Sequence, residues 1–341
     1  RPGSCVSIHV APFGEVVTLG ENTIPGLLQQ WARERPDETA YTFIDYDRDP
    51  AGIADMLTWS QLHRQVQVVA ATLLKYGAPG DRAVVLAPQG LEYIVGFLGA
   101  IEAGLVAVPL TVPQFGQHDE RITGVLRDCG PVAVLTTSAV VDDIREYTGT
   151  TPNRRPVRVI EIDGLDYFDT PAANRSEEPR PAVAYLQYTS GSTRQPAGVV
   201  ITHRNVVVNL EQLLGDYMQH LGGVSPPDLT SVSWLPFYHD MGLIVGLFIP
   251  LTLGRPGVIM SPVAFMQKPA RWMQNLASHS SAFTAAPNFA FELALSRTTD
   301  EDMAGLDRSG GRVMINGAER VHASTPRRLN GKSGQFGPSD P

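Results

Sequence analysis

Between Arg82 and Ile162 the chain alternates short apolar runs with segments of helical period, and nothing else in it constrains the fold as much. Arg82–Ala87, Leu105–Leu110, Val132–Thr136 and Val157–Ile162 are dominated by Ala, Val, Leu and Ile. Leu91–Ala103, Asp119–Cys129 and Ser138–Tyr147 lie between them and are expected helices. Strands that are apolar throughout, not at every second residue, are strands covered on both faces. Crossovers of helix length join parallel neighbours. The expected fold class is therefore α/β, with mostly parallel sheets sandwiched between helices.

The flanks extend the pattern. Ile24, Leu27, Leu28 and Trp31 recur at helical spacing behind Thr23, with Pro25 in the first turn. Thr39–Tyr46 and Met56–Trp59 read as two strands, and Ser60 as the cap of a helix closed by Gly77. Downstream, His203–Met218 is an expected helix, Ser231–Leu235 a strand and Met241–Leu253 a buried apolar element. Gln267–Ala277, Ser281–Ala285, Asn288–Ser296 and Arg312–Asn316 continue the alternation. Asp169–Pro181 is rich in Pro and charge and marks an expected boundary between a subdomain over 22–170 and another over 171–330. Residues 1–21 read as a partly ordered lead-in and 331–341 as a frayed tail.

Bulk properties exclude several classes. A chain of 341 residues suggests about two domains. A net charge of -8 without a basic block argues against a nucleic-acid groove. Cys5 and Cys129 stand in no metal or redox spacing, which suits a reducing compartment. The chain contains no H-E-x-x-H, G-x-S-x-G or G-x-G-x-x-G, so no metal site, hydrolase elbow or dinucleotide loop is expected. The longest apolar run, Gly242–Gly254, is too short to span a bilayer and is broken by Pro250. Arg1–Gly20 does not read as a signal peptide. The expectation is a soluble, cytoplasmic protein.

The stretch Tyr185–Arg204 concentrates chemistry. A strand over Ala182–Tyr188 breaks into Thr189, Ser190, Gly191, Ser192 and Thr193, then resumes at Val199–Ile201 before a helix. Four hydroxyls around a glycine that can adopt φ > 0 allow backbone N–H groups to converge on an anion. The same composition also marks ordinary hairpin turns. The spacing to Gly198, with no Lys following, excludes the G-x-x-x-x-G-K-[ST] loop. The wording Y-T-S-G-S-T-R-Q-P-A-G-V over Tyr188–Val199 resembles the signature loop of the adenylate-forming superfamily. Most members carry Gly at the position of Arg194 and Lys at that of Ala197. The S-T-R-x-P-A-G form resembles the fatty acyl-AMP ligases in particular.

Two further segments support that resemblance, which extends to Arg328. Trp234–Leu243, W-L-P-F-Y-H-D-M-G-L, is similar to a fatty acyl-AMP ligase motif. The motif implies a catalytic role for His239 at the mouth of the acyl pocket, with Asp240 a helix cap; a plain turn histidine is the alternative. In Ile315–Arg320, Gly317 would let a flat ring lie against the backbone. That segment resembles the one that packs on adenine, giving Gly317, Ala318 and Glu319 as nucleotide contacts; a β-turn is the alternative. Thr189, Ser190, Gly191, Ser192 and Thr193 would hold the β- and γ-phosphates, and Arg194 would replace the cation missing at Ala197. Phe283–Glu292 resembles the family's tunnel-lining segment, with Ala285, Ala286, Asn288, Phe289 and Phe291 as candidate lining.

The resemblance implies ATP and Mg²⁺ as cofactors, a long-chain fatty acid as substrate, and a polyketide synthase carrier-protein domain as partner. The family's Tyr-Gly-x-x-Glu segment, whose Glu holds Mg²⁺, and its small C-terminal domain are absent from this sequence. The chain is thus expected to be the front part of an adenylating enzyme, with little or no turnover by itself. A fatty acyl-CoA ligase and a non-catalytic nucleotide- or acyl-binding remnant are the alternatives.

Overall fold

A computed structural model describes residues 23–113, 119–149, 156–170, 181–189, 196–218, 225–306, 311–322 and 325. The expected lead-in over 1–21 and tail over 331–341 lie outside the described residues. The chain runs α1 (Ile24–Glu34), β1 (Thr39–Asp45), β2 (Ile53–Thr58), α2 (Trp59–Leu73), β3 (Arg82–Val85), α3 (Leu91–Glu102) and β4 (Val106–Pro109). It continues through α4 (Glu120–Cys129), β5 (Ala133–Thr136), α5 (Val141–Gly149), β6 (Arg158–Glu161), β7 (Val183–Tyr188), β8 (Gly198–Thr202) and α6 (His203–Tyr217). The last third holds β9 (Leu229–Ser233), α7 (Asp240–Gly242), a π-helical stretch (Leu243–Phe248), α8 (Ile249–Leu253), β10 (Gly257–Met260), α9 (Pro262–Gln267), α10 (Ala270–Ala277), β11 (Ser281–Pro287), α11 (Asn288–Arg297) and β12 (Gly311–Gly317).

The strands form two six-stranded sheets, ordered β12-β11-β9-β10-β1-β2 and β6-β5-β3-β4-β7-β8. Pairing is parallel except for β1 with β2 and β7 with β8, which are antiparallel edges. The division between sheets does not follow the cut expected at 170/171. β1 comes from the first half of the chain but pairs with β10, with β2 on its outer edge, whereas β7 comes from the second half and joins the other sheet on β4, with β8 beyond it. Local pattern identifies a strand, but only long-range pairing decides which sheet it joins.

Helices separate and cover the sheets, giving five layers. α3 is buried around its whole circumference and touches β1 and β2 on one side and β3, β4 and β5 on the other. In β3, Ala83 and Val85 face this central layer, whereas Val84 joins Ile122, Val125 and Leu126 of α4 on the outer face. α10 and α11 cover the far side of the other sheet.

Helix starts follow side-chain caps. Thr23 accepts from the Gly26 N–H at 3.3 Å, as its position before Pro25 predicts. The α2 cap is Thr58, not Ser60. Thr58 Oγ1 accepts from Gln61 N–H while the Gln61 side chain returns the bond, a reciprocal box that starts the helix two residues early. The expected Gln267–Ala277 element begins at Ala270, just after Pro269, and is preceded by a short helix, α9, that was not expected.

The apolar segment 240–253 is one continuous helical run, loosened at its centre into π geometry. Donors from the neighbouring elements take its carbonyls: Ser231 Oγ to Val245 at 2.8 Å, the Tyr41 hydroxyl to Leu247 at 2.6 Å, and Trp31 Nε1 to Leu251 at 2.6 Å. Side chains that bond helix carbonyls from outside stabilise such a departure from regular α geometry. Among the described residues, no helix is long and apolar enough to cross a membrane.

Candidate active site

The signature loop stands on a clamped base. The Tyr188 hydroxyl donates to Asp128 of α4 at 2.5 Å, and burial together with that carboxylate pushes its pKa up. The Tyr188 ring lies over Gly198, where a β-carbon would come within 2.9 Å of it. Thr189 is exposed at the strand's exit. Ser190, Gly191, Ser192, Thr193 and Arg194 lie outside the described residues.

The histidine corner follows β9. Trp234 stacks on Phe265 with ring centroids 3.9 Å apart, anchoring the turn. Gln89 reaches across from the other sheet: its Nε2 donates to Leu235 at 3.1 Å and Met260 at 3.0 Å, and its Oε1 accepts from Phe237 N–H at 3.1 Å. His239 then exposes its ring, with Nδ1 2.5 Å from Asp240 Oδ1. The Met241 N–H lies 2.7 Å from Asp240 Oδ1 and 3.4 Å from His239 Nδ1. Nδ1 cannot donate to the carboxylate and accept from the amide at once. The shorter contacts decide, so Asp240 caps the helix and His239 pairs with Asp240. The hydrogen bond to Asp240 outweighs partial burial and raises the His239 pKa; the same bond lowers that of Asp240. Nε2 is left facing outward, an acceptor in the neutral ring and a donor in the imidazolium that Asp240 favours.

The third element is the end of β12, where Gly317 pairs with Pro287 of β11. A β-carbon on Gly317 would meet no atom within 4 Å, so the backbone there faces open space. Ala318 has φ 64°, the only positive φ of a non-glycine among the described residues. Such a conformation is held against local preference and is characteristic of functional sites.

The histidine corner and the end of β12 share one cleft of about 830 Å³, which Tyr185 of β7 also lines. His239, Asp240, Gly317 and Ala318 line it, and so does Ala285. One wall is α6, through Asn205, Asn209, Leu213 and Tyr217. The opposite wall is the 240–253 helix, through Met241, Ile244, Val245 and Ile249. Phe283 and Ile315 of the paired strands lie between them.

The other candidates fall elsewhere. Ala286 is adjacent to Ala285 on a strand and so points to the opposite face, fully buried. Phe291 packs on Trp272 with centroids 5.1 Å apart. Asn288 is buried and accepts from Asn316 Nδ2 at 2.9 Å and from the His322 N–H at 3.2 Å. Phe289 is exposed beside Trp234. Glu319 accepts the Phe289 N–H at 2.6 Å, placing its charge at the start of α11. Sequence reasoning missed the α6 wall. The available signal was the i, i+4 stripe Asn205, Asn209, Leu213, Tyr217, which lies beside the buried stripe of Val206, Val207, Leu210 and Leu214.

The chain matches the AMP-binding enzyme family over residues 28–338. It belongs to that family. This AMP-binding enzyme is 53% identical over 319 residues to the long-chain-fatty-acid–AMP ligase FadD26 of Mycobacterium marinum, covering 93% of this chain and 54% of that protein. It is 51% identical over 318 residues to the long-chain-fatty-acid–AMP ligase FadD28 of Mycobacterium tuberculosis, covering 93% of this chain and 55% of that one. A fatty acyl-adenylate ligase from L. pneumophila, solved with acyl adenylate and pyrophosphate, superposes with a TM-score of 0.78 at 28% identity, over 92% of this chain and 53% of the other. The two-sheet architecture is that of the large N-terminal domain of adenylate-forming enzymes. The chain spans about half the length of the relatives it matches.

Proposed function

We propose that this chain is the nucleotide- and acyl-binding part of a fatty acyl-AMP ligase. The carrying observation is that His239 and Gly317, read from separate motifs, open onto one cleft walled by α6 and by the apolar 240–253 helix. A fatty chain and a nucleotide would meet at its mouth. Identity above half with a long-chain-fatty-acid–AMP ligase supports the choice of substrate.

In the proposed reaction a carboxylate oxygen of the fatty acid attacks the α-phosphorus of ATP. The new P–O bond forms as the bond to the bridging oxygen breaks, and pyrophosphate leaves with the electron pair. The carboxylate is already ionised at neutral pH, so no protein nucleophile is needed. Catalysis is positioning and charge stabilisation. In its protonated form His239, with Nδ1 held by Asp240, would direct Nε2–H toward the reacting carboxylate. Gly317 would leave room for adenine against the backbone. Ser190, Gly191, Ser192, Thr193 and Arg194, with Thr189, would grip the β- and γ-phosphates. Burial of the acyl chain contributes about 0.8 kcal/mol per methylene, enough for chain length to dominate affinity.

Mg²⁺ would neutralise phosphate charge in such a reaction. Among the described residues no cluster of three His, Cys, Asp or Glu could hold a metal, so no step is assigned through it. The carrier protein of a polyketide synthase is the proposed acceptor of the acyl group.

The test is calorimetric titration of the 341-residue chain with a non-hydrolysable long-chain acyl-sulfamoyl adenosine. Saturable one-to-one binding, weakened about tenfold in His239→Ala, is expected; heat no larger than that of dilution would reject the reading. Consumption of CoA by the full-length protein would turn the assignment toward a fatty acyl-CoA ligase.

A further inference from the structure

The strand that delivers the signature loop and the corner that carries His239 are joined by one buried side chain. Gln187 is the penultimate residue of β7 and is 6% exposed. Its Nε2 donates to the carbonyl of Tyr238 at 2.7 Å, across 51 residues of sequence. That carbonyl belongs to the peptide bond that ends in the His239 nitrogen, and the His239 N–H donates to Pro236 at 3.1 Å. The orientation of this peptide plane sets where the imidazole points.

Two glutamines hold this turn, and they differ. Gln89 uses both ends of its amide on three backbone groups. Among the described residues Gln187 bonds through its nitrogen alone, and its buried Oε1 has no hydrogen-bond partner. A buried acceptor without a partner is unfavourable, and an apolar residue of similar length would avoid it. The single bond from Gln187 Nε2 to Tyr238 is therefore the feature that distinguishes glutamine from such a residue here.

We propose that Gln187 is a positioning residue that ties the His239 peptide to the strand entering the signature loop. The last residues of β7 and the histidine corner are thereby held in one register. This rests on the adenylate-forming reading given above.

The test is a double-mutant cycle in the 341-residue chain, with Gln187→Met, His239→Ala and both together. Met matches Gln in shape and removes the unpaired acceptor along with the donor, so cooperative melting near the wild-type temperature is expected. Gln187→Leu takes its place if that variant does not melt cooperatively. Each single change is expected to weaken binding of the acyl-sulfamoyl adenosine about tenfold, and the double change by no more than about twofold beyond His239→Ala. Losses that multiply would overturn the proposal, because Gln187 would then not act through His239.

A second readout needs no ligand. His239 faces Asp240 at 2.5 Å, and Tyr185 lies within electrostatic range of Asp240. Freeing the Tyr238–His239 peptide is expected to move the NMR titration midpoint of His239 in Gln187→Met, and an unmoved midpoint also overturns the proposal. If the wild-type chain binds no adenylate analogue, the functional reading fails while this titration still decides the role of Gln187.

Discussion

A β-carbon placed on Gly242 would sit 2.0 Å from the carbonyl oxygen of Pro236. The helix that walls the cleft therefore rests directly on the backbone of the histidine corner, and no side chain fits between them. Gly242→Ala must push the two apart. The expected loss is about 1–3 kcal/mol or more, read as a lower thermal midpoint. Gly215→Ala is the control: its β-carbon would meet nothing within 4 Å on α6, and a gain of about 1 kcal/mol in helix propensity is expected.

The pairing of His239 with Asp240 sets a pH window. The His239 pKa is raised, so its part of the pair's stabilisation is full below the ordinary histidine value of about 6.5 and fades as pH rises through the folded value. The Asp240 pKa is lowered, so its part is full above the ordinary carboxylate value of about 3.9 and fades as pH falls through the folded value. Both are complete between these ordinary values. An NMR titration should give His239 a midpoint above 6.5. Asp240→Asn should bring it below, because only partial burial then acts on the ring. A midpoint indifferent to Asp240→Asn would contradict the pair.

Gly317 faces open space, so a larger residue there is tolerated by the fold and not by a ligand. Gly317→Val should leave the melting temperature within a few degrees, since nothing lies within 4 Å of the new carbon. It should abolish measurable AMP binding in calorimetry. Ala318→Gly should raise stability by roughly 1 kcal/mol by relieving the positive φ.

Ala285 lines the cleft and is the proposed contact for the acyl chain. Ala285→Leu would fill space an acyl chain needs. Affinity for a long-chain acyl-sulfamoyl adenosine should fall by about 0.8 kcal/mol for each methylene displaced. Affinity for AMP should stay unchanged, and parallel loss of both ligands would place Ala285 away from the chain.

Much of this molecule was legible one segment at a time. The apolar strands Arg82–Val85 and Ala133–Thr136, the helix opened by Thr23 and Pro25, and the helix closed at Gly130 in left-handed conformation follow from local sterics and capping. The Trp234–Leu243 wording pointed to His239, and Ile315–Arg320 to Gly317, before any coordinates. Less legible were the lining residues. Four of the five expected in 285–291 do not line the cleft, because strand alternation turns Ala286 away and α11 packs Phe291 on Trp272.

The sequence by itself determined where most strands and helices lie, because those choices depend on neighbours a few residues away. Only the tertiary structure decided that β1 leaves its own half of the chain to pair with β10, that α6 forms a wall of the cleft, and that Gln187 reaches Tyr238. Those relations join groups tens to hundreds of residues apart. They are fixed by sheet order and helix packing, which no local pattern encodes.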